Sequence, residues 1–281
     1  MFALENMEAV EIIGYILAFG VGSIMGLFGA GGSLIFILMI YFFGLEVTTA
    51  TGYALFLIGL TASFGVADKW RKREVDVATA LVFAVPVIAG TLFARMYLIH
   101  WIPDVLMEIG EFELTKKNTV LLLFAALLLL SFSSMVGLWG KNLRPDLDLR
   151  TKQSGRYYSM VIVIGFFIGV LTSLVGAGGG VLIVPVLVIL IGMEMKKAIG
   201  TSLTLAASKS LIGFIADAVN MGGEINWGFL FSIGAVMVLG ILLGSYASNY
   251  LPANKLKRGF GWFILFLALL ILVRETGLLP A

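Results

Sequence analysis

Four stretches of this chain, residues 119–138, 162–175, 230–243 and 260–273, contain no ionisable side chain. Runs of that length and apolarity approach the roughly 20 residues an α-helix needs to cross a hydrocarbon core. A water-soluble domain carries about a quarter charged residues. Here 13% of 281 residues are charged and 60% are hydrophobic, with a mean hydropathy of +1.04. Such a chain lacks the polar groups to cover a water-facing surface. Its natural solvent is the bilayer, where a spanning backbone must satisfy its own hydrogen bonds, and the run lengths select helices.

The same composition excludes several functions. A net charge of +2 provides no basic surface for nucleic acid. With no cysteine and a single histidine, a zinc site lacks ligands and thiol chemistry lacks thiols. That histidine, His100, stands beside Trp101 and reads as an interfacial anchor, as do Trp70, Trp139 and Trp227 near other predicted span ends. No G-x-x-x-x-G-K-[ST] motif supports ATP-driven transport by this chain, and no cofactor is implied. The first basic residue is Lys69, whereas the N-terminus carries Glu5, Glu8 and Glu11. It lacks the positive region of a secretory signal and is expected to stay uncleaved.

Self-comparison reveals a duplication. Gly29-Ala30-Gly31-Gly32-Ser33 recurs as Gly176-Ala177-Gly178-Gly179-Gly180, an offset of 147. At an offset of 148, Gly44, Glu46, Ala50, Gly52 and Leu55 match Gly192, Glu194, Ala198, Gly200 and Leu203. Glu74-Val75 then matches Glu224-Ile225, and Pro103 matches Pro252. An ordered series of this kind marks two homologous halves, residues 1–138 and 158–281, joined by a charged, turn-rich linker over 139–157 that is expected to be cytoplasmic.

Each half shows one plan. An apolar stretch of about 35 residues, 10–44 or 159–192, is interrupted by the glycine cluster and followed by three apolar segments. Those segments are 50–67, 77–99 and 118–138 in the first half, and 198–219, 228–250 and 259–275 in the second. As one straight helix the interrupted stretch would be about 50 Å long, too long for a core of about 30 Å. Loop charge decides how it runs. If it starts and ends on one side, 14 Lys/Arg fall on the cytoplasmic side, including Lys69, Arg71–Arg73, the linker residues, Lys196, Lys197, Lys255, Lys257 and Arg258. Four fall outside: Arg95, Lys116, Lys117 and Arg274. If it crosses once, the split is 10 against 8. The positive-inside rule selects the first arrangement. The expected fold is therefore an all-α integral membrane protein of two inverted-topology repeats, each an interrupted helical hairpin at a Gly-rich elbow plus three transmembrane helices, a plan common among secondary transporters.

The elbows are the candidate chemistry. Glycine runs let successive backbone N–H groups converge, and each cluster precedes a short apolar helix. An anion is favoured at such a helix N-terminus. The candidate anion-binding residues are Gly29, Ala30, Gly31, Gly32, Ser33, Gly176, Ala177, Gly178, Gly179 and Gly180. Close helix packing is the alternative role for such glycines, and it is the one assigned to Gly22/Gly26, Gly165/Gly169 and Gly240/Gly244. Lys209 lies mid-segment among Ser202, Thr204, Ser208 and Ser210. An intramembrane lysine marks a functional site by default; pairing with Asp217 is its structural alternative. Its first-half counterpart is Thr61. Thr201 and Ser202 complete the candidate set. Thr48, Thr49, Thr51 and Thr201 sit where they can line a cavity or cap a helix.

The duplicated Gly-Ala-Gly-Gly-(Ser/Gly) elbow, Pro185 after its second copy, and Gly200-Thr201-Ser202-Leu203 resemble the sulfite exporter TauE/SafE family, also called the toluene-sulfonate uptake permease family, over nearly the whole chain. In the first half Leu38 stands in place of Pro185, and Gly52-Tyr53-Ala54 in place of Gly-Thr-Ser. The resemblance implies a secondary transporter of sulfite, an organosulfonate or a related small sulfur-containing anion, in the plasma or inner membrane, with no enzyme activity. A coupling proton or ion and a homo-oligomer are compatible with it. An anion channel lined by the same elbows is the alternative; a membrane-embedded enzyme would need clustered acid–base groups that the chain lacks beyond Lys209 and Asp217.

The charge split places both chain ends outside the cytoplasm. A single cysteine introduced at position 3 of this cysteine-free chain should react with an impermeant maleimide added to intact cells, while one at position 142 should react only after permeabilisation. The reverse pattern would refute the topology.

Overall fold

A computed structural model describes residues 2–98, 105–109, 112–137, 155–175, 180–220 and 225–275. The second elbow's Gly176–Gly179, His100 and Trp101, and the linker up to residue 154 lie outside the described residues. The described chain is helical, as composition requires: α1 (Phe2–Phe28), α2 (Gly32–Tyr41), α3 (Val47–Arg71), α4 (Val77–Phe93), α5 (Lys116–Val136), α6 (Gly155–Val175), α7 (Gly180–Ile189), α8 (Met195–Asn220), α9 (Trp227–Tyr250) and α10 (Ala253–Glu275). Five of these contain spans long and apolar enough to cross a membrane: Glu11–Phe28, Thr49–Arg71, Met195–Ile215, Trp227–Tyr250 and Ala253–Val273. One feature departs from the all-α expectation. After α4 and a π-helical turn at Ala94–Leu98, a small antiparallel hairpin pairs β1 (Val105–Ile109) with β2 (Phe112–Thr115), with Ile109 opposite Phe112.

The first interrupted stretch breaks where the glycines stand, and the second is described on either side of its glycine cluster. α1 ends at Phe28 and α2 begins at Gly32; α6 ends at Val175 and α7 begins at Gly180. At 10 residues each, α2 and α7 are about 15 Å long, half a hydrocarbon core. Each ends alike. Gly44 and Gly192 adopt φ of 62° and 72°, and the next N–H reaches back six residues, Leu45 to Met39 O and Met193 to Leu187 O. This is the left-handed glycine stop that lets a chain leave a helix at once.

The helices sort into two compact units that interleave the sequence halves. The first gathers α1, α2, α3, α7 through Val184, α8 from Lys196, and α9. The second gathers α4 from Leu81, α5, α6, α7 from Pro185, and α10. In the first unit the backbones of α1 and α9 touch: a Cβ on Gly22 would overlap Met237 O, one on Gly26 Ile241 O, one on Gly240 Phe19 O, and one on Gly244 Ser23 O. In the second, a Cβ on Gly169 would overlap Val87 O and one on Gly90 Phe166 O. The contacts of Gly22 and Gly240 thus recur at Gly169 and Gly90, each shifted by the sequence offset. Small residues allow this approach where lipid offers no hydrophobic drive between helices.

Outward surfaces carry Ile16, Leu81, Val85, Leu239, Trp262 and Phe266, all exposed. Hydroxyls and one lysine are among the buried residues: Thr61, Thr201, Ser202, Ser245, Ser248 and Lys69. Apolar groups outside and polar groups inside suit a lipid solvent.

Glycine contacts set a stability ladder. Gly240→Ala forces two backbones apart and should cost about 1–3 kcal/mol. Gly165→Ala brings a methyl to 3.0 Å from the Pro86 ring and should cost less. Gly20→Ala meets nothing within 4 Å and should be neutral or stabilising through helix propensity. Thermal unfolding in detergent should rank them in that order.

Candidate functional site

The first elbow is a backbone turn without side-chain help. Gly29 closes α1 in the left-handed region at φ 70°, its N–H still bonded to Met25 O. Gly31, at φ 135° and ψ −2°, is the N-cap of α2 and makes no side-chain cap hydrogen bond. An L-residue with a side chain adopts neither conformation cheaply. The chain doubles back, because a Cβ on Gly31 would lie 3.3 Å from Met25 and 3.5 Å from Ile24 of α1. Leu34 N–H bonds to Gly31 O. The first turn of α2 therefore presents its leading N–H groups and the positive end of its dipole to the elbow.

A second half-helix starts at the same place. A Cβ on Gly180, the first residue of α7, would stand 3.1 Å from Gly29 O and 3.2 Å from Ala30 Cα. Both short helices thus begin against one short piece of chain. The start of α8 closes the other side: Ile199 lies against Gly29, and buried Ser202 donates its hydroxyl proton to Gly29 O at 3.0 Å.

Thr201, also buried, accepts from Asp76 N–H at 3.1 Å. Asp76 in turn caps α4, its carboxylate accepting from Thr79 N–H at 3.1 Å. The matching bonds occur at the corresponding residues: Tyr53 hydroxyl accepts from Asn226 N–H at 2.7 Å, and Asn226 caps α9 through Phe229 N–H at 3.1 Å. The Tyr53-for-Thr201 exchange therefore preserves a hydrogen bond. Thr201 and Ser202 support the elbow's surroundings through these bonds; Gly29–Gly32 and Gly180 form its turn. Lys209 is half-buried further along α8, two turns before Asp217.

A polar cluster near the end of α3 was not legible from the sequence, which placed Lys69 in a loop. α3 runs on to Arg71, and Lys69 is completely buried. Its Nζ donates to Glu74 Oε2 and to Ser248 Oγ of α9, each at 2.9 Å. Beside it, the Asp68 carboxylate accepts from Lys72 and from Ser245. Gly200 makes room for this, since a Cβ there would overlap Glu74 O. The pairing of Glu74-Val75 with Glu224-Ile225 was the available signal, pointing to a constrained turn rather than a solvated one.

A family model and curated relatives match most of the chain. Residues 14–271 match the family model described as Sulfite exporter TauE/SafE. The chain is 24% identical over 243 residues to the probable membrane transporter protein YjnA of Bacillus subtilis (strain 168), covering 84% of this chain and 90% of that one. It is 28% identical over 266 residues to a probable membrane transporter protein of Haemophilus influenzae, covering 88% and 92%. It is 27% identical over 267 residues to one of Xylella fastidiosa, covering 93% and 94%. No solved structure matches the chain.

Removing Lys69 strands the partly buried carboxylate of Glu74, whose side chain keeps 18% exposure. Lys69→Met should cost about 1–3 kcal/mol, and adding Glu74→Gln should recover part of it, because the residual group is then neutral. Thermal denaturation of the single and double variants measures the recovery; its absence would mean Lys69 matters only as packing volume.

Proposed function

The chain belongs to the sulfite exporter TauE/SafE family of membrane transporters, and from that premise we propose that it is a secondary transporter of a small oxyanion: sulfite, an organosulfonate or a related sulfur-containing anion. The observation that carries the proposal is the meeting of α2 and α7, two half-helices whose N-terminal ends converge on Gly29–Ala30. Two positive dipole ends, one of them at an N-cap glycine that makes no side-chain hydrogen bond, suit one anion. Gly29–Ser33 and Gly176–Gly180 supply the backbone cradle. Thr201 and Ser202 hold its walls, and Lys209 contributes a positive charge on the path to it.

The mechanism we infer is alternating access about two inverted repeats. The recurrence of backbone contacts at Gly22/Gly169 and Gly240/Gly90 supports a common plan for the halves. A two-fold-like exchange of contacts supports it further: in the first unit Gly65 lies against Leu203, and the offset partners, Gly213 and Leu55, also meet. The basic loops favour a cell-membrane protein with both ends outside the cytoplasm and the 139–157 linker inside. Coupling to a proton or ion and assembly as a homo-oligomer belong to this reading as well.

Two glycines with positive φ separate cradle from strain. Gly31→Ala must distort the elbow, whereas Gly44→Ala strains the backbone where a Cβ meets nothing within 4 Å. Both should lose thermal stability, of order 1 kcal/mol. Only Gly31→Ala should also weaken sulfite binding, roughly 10-fold or more, in titrations of the detergent-solubilised protein. Equal affinities for the two variants would reduce the elbow to a packing device.

A further inference from the structure

Hydroxyl groups on apolar helices usually hand their proton back to the preceding turn. Ser63 does so on α3, donating to Gly59 O at 2.7 Å. Thr204 and Ser208 do so on α8, and Ser131 on α5. Thr61 does not. Its side chain is fully buried, with 0% exposure, and its Oγ1 has no hydrogen-bond partner. It sits midway along the span Thr49–Arg71, where no lipid group can serve it. A buried donor left unmade is a cost that packing does not return.

Its position gives the cost a purpose. α2 and α3 are joined by a short turn over residues 42–46, so they run antiparallel. The Ile58 side chain lies 2.9 Å from where a Cβ of Gly32 would stand, which puts Ile58 level with the first residue of α2. Thr61 is one helical turn further along the same face of α3. It therefore lies past the start of α2, on the side toward which the leading N–H groups of a helix point. The N-cap residue, Gly31, makes no side-chain hydrogen bond to those groups. The duplication adds a second mark: Thr61 occupies the position that Lys209 holds in the other half.

Resting on the transport reading above, we propose that Thr61 is a direct substrate ligand, its hydroxyl donating to one oxygen of a sulfite or sulfonate group whose other oxygens accept from the first-turn N–H groups of α2. A cation is disfavoured there by the positive end of the helix. A group bearing three acceptor oxygens fits a donor hydroxyl and the two N–H groups, of Gly32 and Ser33, that precede the bonded Leu34 N–H. The two halves then serve one anion differently, by a neutral hydroxyl in the first and a lysine in the second.

The test replaces the hydroxyl without changing shape. Thr61→Val, Thr61→Ser and Thr61→Ala should be purified in detergent and titrated with sulfite and with ethanesulfonate, with thermal stability read in parallel without anion. The expected result is a loss of at least 10-fold in affinity for Thr61→Val and Thr61→Ala, near wild-type affinity for Thr61→Ser, and a Thr61→Val melting temperature equal to or above wild type. Wild-type affinity in Thr61→Val, or an equal loss in Thr61→Ser, would overturn the assignment of Thr61 while leaving the transporter reading intact. Failure of the wild type to bind either anion would instead overturn that reading, and this proposal with it.

Discussion

A helix that breaks among apolar neighbours must satisfy the backbone groups it frees, and this structure does so at Gly29–Gly31. Each unpaired N–H or C=O left in an apolar medium costs several kcal/mol. Gly29 keeps its N–H on Met25 O and gives its carbonyl to Ser202. Gly31 O takes Leu34 N–H. The leading N–H donors of α2 ahead of Leu34 are among the groups that remain. Most of what surrounds the elbow follows from this bookkeeping: α8 must start nearby to bring Ser202, Ile199 must sit flat against Gly29, and position 180 must be small enough for α7 to begin there.

Much of this was legible in residues alone. The interruption after α1 by glycine, the stops at Gly44 and Gly192, and the packing role of Gly22, Gly26, Gly240 and Gly244 all follow from what glycine permits and from where the apolar runs begin and end. What the residues concealed depends on partners far away in sequence. Lys69 looks like a loop charge until Ser248, 179 positions on, supplies its second acceptor. Tyr53 looks like a departure from Thr201 until both are seen to accept an N–H from the residue before a helix. The hairpin β1–β2 carries Glu108 opposite Glu113, a pattern that no apolar alternation announces. Thr61 is ordinary by type; only the missing partner sets it apart.

Burial of charge near the ends of α3 and α9 has a different logic from the elbow. Lys69, Glu74 and Ser248 join three pieces of chain through a fully buried ammonium. Asp68, Lys72 and Ser245 form a parallel connection one residue along. Such networks contribute little net stability over apolar packing, but they admit few alternative arrangements. α3 is thereby held in register against α9, and with it the level at which Ile58 meets the start of α2.

The contact between α1 and α9 also bears on how the protein is made. Gly22 and Gly26 fit against Met237 and Ile241, so α1 leaves the ribosome more than 200 residues before the helix that covers it. At about 5–20 residues per second, its small-residue face waits on the order of 10–40 s in the bilayer. Throughout that interval the nascent chain exposes a groove shaped for another helix. A neighbouring copy at the same stage offers no α9 to fill it, so correct pairing is protected by order of synthesis as much as by affinity.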